Sequence, residues 1–166
     1  MRYWLFKTEP SEFSIEDLRK AKKQTEPWDG VRNYQARNLL RDEMKEGDRV
    51  LFYHSSTKPT AVVGTARITR EGYPDHTAFD PKNKHHDPKS KKTEPTWFMV
   101  DVTFESEFPD PVTLEELKGL VELKDMMLLR RGARLSVQPV TATEFKAVLT
   151  IAKAKAKAAG HPYAQR

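Results

Sequence analysis

The strongest constraint on how this chain folds is an alternation between residues 97 and 108. Phe98, Val100, Val102 and Phe104 fall on every second position, with Asp101 and Thr103 between the last three and Glu105 after them. A period of two is the signature of a half-buried β-strand, so the chain must build a sheet with an apolar layer on one face. Residues 2–7 carry Tyr3, Trp4, Leu5 and Phe6 and read as a strand buried on both faces, hence a central one. Residues 49–54 and 60–70 supply two more strands. Gly64 inside the latter marks a bulge, a bend or the close approach of another backbone. A short strand over 134–138 ends at Pro139.

Between these strands lie helix starts. Ser14 with Asp17 resembles a capping box and opens a short helix to about residue 22. Asn33 caps a helix over 34–44, Thr113 with Glu116 caps another, and Thr141 with Glu144 caps a C-terminal one whose apolar side is Phe145, Val148, Leu149 and Ile151. Residues 120–129 read as a further helical turn or two. Residues 72–96 are rich in Pro, Lys, His and Asp and read as a long loop with little packing of its own. This order lacks regular βαβ alternation and any Gly-rich phosphate loop, which excludes a Rossmann or P-loop reading. The expected class is α+β: a mixed, strongly curved sheet or small pseudo-barrel flanked by helices.

At 166 residues, 37% hydrophobic and 32% charged, the chain makes one globular domain with a proper core. No apolar run reaches the roughly 20 residues of a spanning helix, so no membrane partner is expected. With no cysteine there is no thiolate nucleophile and no Cys-based zinc site, and a cytoplasmic protein follows by default. The net charge of +5 is concentrated at the end. Residues 151–166 contribute Lys153, Lys155, Lys157 and Arg166 without an acid, which leaves the first 150 residues at +1. The domain is expected over 1–152, and 153–166 as a basic Lys/Ala tail, frayed or disordered because it has no apolar face. Residues 31–70 hold eight basic and four acidic residues, whereas 105–125 hold seven acidic and two basic. Such a distribution suits local contact with phosphates rather than clamping by the whole surface.

The chemistry is densest in residues 28–38, Trp-Asp-Gly-Val-Arg-Asn-Tyr-Gln-Ala-Arg-Asn. Asp29-Gly30 turns the chain, because glycine accepts a positive φ. A helix start after Asn33 presents unpaired N–H groups and a partial positive charge. Trp28 and Tyr34 offer flat rings, the asparagines donate and accept, and Arg32 and Arg37 carry charge: parts that suit a nucleotide. The same residues also suit a plain turn, with Trp28 plugging the core and the arginines solvated.

Taken together, several blocks resemble the EVE domain family. They are residues 3–10 (Tyr-Trp-Leu-Phe-Lys-Thr-Glu-Pro), residues 28–38, Phe52-Tyr53-His54-Ser55, Tyr73-Pro74-Asp75, residues 97–102 and residues 134–139 (Arg-Leu-Ser-Val-Gln-Pro). The resemblance implies a PUA-like fold related to the YTH readers of methylated adenine in RNA. It implies a non-enzymatic, monomeric reader of a modified base in nucleic acid, 5-methylcytosine or an oxidised form in DNA, with no cofactor and no metal. It also implies a location with the DNA, nuclear in a eukaryote and nucleoid-associated in a bacterium.

By the same analogy one base leaves the stack and enters an aromatic pocket lined by Lys7, Thr8, Trp28, Asp29, Val31, Asn33, Tyr34, Tyr53, His54, Ser55, Leu135 and Ser136. Thr8 stands where many relatives carry serine, keeping a hydroxyl and adding a methyl. Trp28 or Tyr53 would stack, Asn33 and Ser55 would read the polar edge, and Val31 or Leu135 would receive a methyl. Arg32, Arg37 and Arg134 would meet flanking phosphates.

Two rival classes remain at this stage: a modified-RNA binder of YTH or PUA type, and an enzyme on modified nucleotides. For the enzyme, Asp29, His54 and Glu9 are acid–base candidates, but no nucleophile–His–acid spacing accompanies them. His85-His86, with Asp80 and Asp87 nearby, reads as a solvated loop in preference to a metal site. Trp4 and Trp97 fall inside strands and read as core, and residues 73–76 as a packed turn in preference to a lid.

Overall fold

The computed structural model describes residues 1–161. Six strands form one mixed, open sheet: β1 (Tyr3–Thr8), β2 (Thr25–Pro27), β3 (Arg49–His54), β4 (Ala61–Pro74), β5 (Phe98–Thr113) and β6 (Val137–Val140), in the order β2-β5-β4-β3-β1-β6. β1 and β3 run parallel, and the other neighbours are antiparallel. The sheet is curved without closing into a barrel. The expected class, α+β with a PUA-like arrangement, is the one found.

β1 lies inside the sheet, as its unbroken apolar run required. Alternation sends Trp4 and Phe6 to one face and Leu5 to the other, and each face has its own core. The first core gathers Trp28, Leu18, Leu40, Phe52, Ile68, Val100 and Val102 beneath helices α1 (Ile15–Lys20) and α2 (Tyr34–Asn38). The second gathers Leu51, Tyr53, Phe108, Leu117, Phe145 and Val148 beneath α3 (Leu114–Lys118) and α4 (Ala142–Ala158).

β5 serves both cores. Val100 and Val102 face the first, Phe108 and Val112 the second. The change of side follows from register shifts along β4 and β5, one of them at Gly64. A Cβ on Gly64 would stand 2.2 Å from the Ser106 carbonyl oxygen, so only glycine lets the strands pass this closely.

All three Thr/Ser-led capping boxes form: Ser14 with Asp17, Thr113 with Glu116 and Thr141 with Glu144. Asn33 Oδ1 accepts the Ala36 N–H at 3.0 Å and starts α2 as expected, although the second half, Leu39–Glu43, widens into a π turn. Residues 120–129 form two short 3-10 turns, Val121–Leu123 and Met127–Leu129.

Several expectations are corrected. The supposed frayed tail continues α4 to Ala158, because Ala152 and Ala156 are buried and Lys155 Nζ reaches Glu116 and the Pro111 carbonyl. An apolar stripe of alanines and one half-buried, paired ammonium replace the missing large residues. The last part of that expectation, 162–166, lies outside the described residues. Residues 25–27, which carry no strand signal of their own, form the edge strand β2. The last strand runs past Pro139 to Val140, which is tolerated because β6 is the other edge and needs no donor on its outer side. Among the described residues no helix is long and apolar enough to cross a membrane.

Candidate nucleic-acid interface

The parallel pair β1 and β3 brings two strand ends side by side, and the candidate residues converge there. Lys7 is opposite Tyr53 and Thr8 opposite His54 in the ladder, and the Ser55 N–H donates to the Thr8 carbonyl at 2.9 Å. On the other flank of β1 the Lys7 N–H donates to the Ser136 carbonyl at 2.8 Å, and Lys7 Nζ reaches the Ala133 carbonyl at 3.4 Å. Leu135 packs onto the core that contains Trp28 and Val31. Thr8, His54, Ser55, Leu135 and Ser136 therefore share one rim with Trp28 and Val31 beneath it.

Trp28 is the floor of this rim and not an exposed shelf. Its ring lies 5.2 Å from Phe6, 5.6 Å from Phe52 and 6.0 Å from Phe13, and only 9% of the residue is exposed. Tyr53 is corrected more strongly. Strand alternation places it on the opposite face, in the core with Leu51 and Phe145, so it cannot stack on a base held at Trp28. The same alternation turns the Lys7 stem toward the Leu5 side, where burial lowers its ammonium pKa. Tyr34 is 61% exposed and lies against Trp97 at 5.0 Å, away from the Trp28 cluster. Asn33 retains only its NH2 for a ligand, since Oδ1 is held by Ala36.

His54 is a structural acceptor. Its Nε2 accepts the Ile15 N–H at 3.1 Å at the start of α1, and burial lowers its pKa against the pull of Asp17. A neutral ring with its proton on Nδ1 fits this cap, and Nε2, already accepting from Ile15, is not free to act as a base. Among the described residues no group of three or more His, Asp or Glu side chains could hold a metal.

Arg32 does not meet phosphate. Its Nε donates to the His85 carbonyl at 3.0 Å, Nη1 to Val31 O and to Asp75, and Nη2 to Thr77 and to His85 O. All five of its N–H groups are thereby engaged. Asp75, whose side chain is fully buried, accepts from Arg32, the Gly30 N–H and both the N–H and hydroxyl of Thr77. Burial pushes the Asp75 carboxyl up, but the bonds from Thr77, Gly30 and Arg32 outweigh it and hold the pKa below 3.8.

Residues 72–96, expected to form a long loop with little packing, are more ordered than that: β4 runs to Pro74, a 3-10 turn spans His76–Phe79 with Thr77 and Ala78 buried, and the remaining loop 80–97 is tied down by this latch. The His85 ring rests on Gly30, which has φ +80° and no room for a Cβ, since one would stand 2.5 Å from the imidazole. Trp97 Nε1 donates to Asp87 at 2.7 Å, and Lys84 pairs with Glu12. Asp29 lies beside His85, and its carboxyl is pushed up by burial and by Asp75 against the pull of His85, His76 and Arg32. Arg37 is half engaged, with Nη1 on the Thr96 carbonyl at 2.7 Å and its guanidinium over Tyr34. Arg134 is exposed.

A polar groove of about 590 Å³ opens at the other end of β1, between Arg2, Asp42, Glu43, Lys45 and Arg67. Several of its charges are paired, Arg2 with Glu43, Asp42 with Arg41 and Lys45 with Glu71.

With the geometry in place, the chain can be compared with known proteins. The EVE domain family matches residues 2–151. The chain belongs to the EVE domain family. Thymocyte nuclear protein 1 of Mus musculus is 48% identical, over 90% of this chain and 73% of the relative, and the Homo sapiens protein is 46% identical over 90% and 73%. Among solved structures, a hypothetical protein from Leishmania major superposes with TM-score 0.87 at 48% identity, covering 93% of this chain and 96% of that one. Human THYN1 in complex with 5-methylcytosine-containing DNA superposes with TM-score 0.87 at 45% identity, covering 92% of this EVE chain and 98% of the relative.

Proposed function

We propose that this EVE domain is a DNA-binding reader of a modified base, 5-methylcytosine or an oxidised form of it, and not an enzyme. One observation carries the reading: similarity across 98% of a human chain solved with 5-methylcytosine-containing DNA. The geometry supports it. A base leaving the stack would settle at the rim formed by the β1 and β3 ends, over the exposed edge of Trp28. Extraction costs a few kcal/mol of stacking and pairing, which the aromatic floor and edge hydrogen bonds must return. The Ser55 hydroxyl and the amide of Asn33 supply polar partners, Thr8 Oγ1 can only accept because its proton goes to the Phe13 carbonyl at 2.9 Å, and Leu135 with Val31 forms the apolar wall for a methyl. A methyl contact contributes only about 1 kcal/mol, so selectivity also needs a wall that excludes misfitting bases.

The test is a titration of the chain with single- and double-stranded DNA carrying cytosine, 5-methylcytosine or 5-hydroxymethylcytosine, with matched RNA alongside. The expected result is a several-fold preference for one modified DNA strand, abolished in Leu135→Ala. Trp28→Ala is avoided, since emptying a core aromatic site costs about 3–5 kcal/mol and would unfold the reporter with the site. Equal affinity for modified and plain strands would sink the reading. Tighter binding to the RNA strand would move the substrate to the modified-RNA class.

A further inference from the structure

Of the three arginines expected to hold phosphate, Arg32 and Arg37 are turned inward, wholly or in part, and Arg134 alone is left exposed, yet a base reader must grip the backbone on either side of the base it extracts. Resting on the base-reader reading, we propose that the turn at residues 130–134 is the phosphate clamp of this domain, with Arg131 and Arg134 as the contacting side chains and the DNA phosphodiester backbone as the ligand.

The turn is built to hold these groups outward. The Ala133 N–H donates to the Arg130 carbonyl at 3.2 Å, closing a four-residue turn, and Gly132 sits at its third position with φ +78°. That is the conformation in which glycine is required, and it leaves Arg131 on the corner. A second lock lies upstream. Arg130 donates through Nε and Nη2 to the Asp125 carbonyl, at 3.2 and 3.1 Å, so this arginine fixes the loop and is not itself a free cation. The third lock fastens the turn to the end of β1, where Lys7 Nζ donates to the Ala133 carbonyl at 3.4 Å.

Arg131 and Arg134 are both exposed, and neither forms a hydrogen bond or ion pair with any described residue. Asp125 is the only acidic residue between positions 123 and 143, so the local field is positive and unneutralised. Arg134 immediately precedes Leu135, the apolar wall of the rim. A phosphate gripped there is next to the nucleotide whose base enters the site. The fixed backbone leaves little loop ordering to oppose binding, so the cost that remains is the rotamer freedom of the two unpartnered guanidiniums.

The experiment compares the full chain with an Arg131→Gln/Arg134→Gln variant, using fluorescence anisotropy on plain and modified DNA between 50 and 300 mM salt. Losing two phosphate contacts should reduce the slope of log K against log salt by about 1.4–1.8 and weaken both DNAs about equally, leaving the preference between them intact. The melting temperature should not change, which confirms that the variant folds. An unchanged slope with an intact preference overturns the clamp and keeps the reader. A reduced slope without any preference for modified DNA keeps the clamp and removes the reader. Wild-type protein that binds neither DNA removes both.

Discussion

Two arginine-bearing segments of this domain use the same side chain in opposite ways. Around Arg32 the guanidinium points inward, and every N–H meets a carbonyl, a hydroxyl or the buried carboxylate of Asp75. In the turn at 130–134 the backbone is locked by Arg130 and Gly132 while Arg131 and Arg134 stay in solvent. The first arrangement converts charge into rigidity and fastens loop 80–97 to the Trp28 segment. The second keeps charge available. What decides between them is whether a buried acid stands within reach, and that acid is 43 residues away from Arg32 in the chain. Composition near an arginine says little about which fate it meets.

The contrast is broken or sharpened by perturbing each side in turn. The largest effect is expected at Asp75. Asp75→Ala strands the Arg32 guanidinium beside an empty site and should cost about 3–5 kcal/mol in urea unfolding, and a loss below about 1 kcal/mol would mean the latch is ornamental. Next is Gly30→Ala, which forces a Cβ into the His85 ring at a positive φ and should cost about 1–3 kcal/mol. Thermal melts at a single pH would measure it against Gly132→Ala, where φ is also positive but no atom lies within 4 Å, so the difference isolates the His85 contact.

A pH series tests the electrostatics of the latch. The folded Asp75 carboxyl lies below its ordinary value of 3.8, so its contribution is complete above that value and drains away as pH falls through the folded pKa. Melting temperatures from pH 5 to pH 2 should therefore fall less steeply for Asp75→Asn than for wild type, and parallel curves would contradict the assignment. Asp29 has the opposite sign and a smaller effect. Its carboxyl is raised, so ionisation opposes folding at neutral pH, and Asp29→Asn should raise the melting temperature at pH 7 with the gain vanishing in acid. Smallest of all, Arg131→Gln/Arg134→Gln should leave the melting temperature where it was.

Whatever depended on neighbours in sequence was legible. Each capping box forms because its two partners are three residues apart, and Gly64 advertised a close backbone because glycine inside a strand otherwise weakens it. The buried alternation of β1 located the middle of the sheet. Features that depend on distant partners were not legible. Nothing near Arg32 announces Asp75, and nothing in the Lys/Ala run announces that Lys155 will find Glu116. Tyr53 is a different case, because its error was avoidable. Tyr53 and His54 are adjacent in a strand, so period two forbids both from lining one pocket, and Phe52 with its bond to the Trp28 cluster marks which face is which. The turn at 130–134 carried its own signal in an Arg-Arg-Gly-Ala-Arg run, but only the exposed ends and the Lys7 contact show where it points.

The two borders of the sheet have a consequence for how the protein behaves in company. β2 has three residues and ends in Pro27, and β6 has four with Pro139 inside it. Each border thus offers too few consecutive donors to recruit another strand. An open sheet is a lattice that could grow sideways, and short outermost strands that carry prolines disfavour that growth.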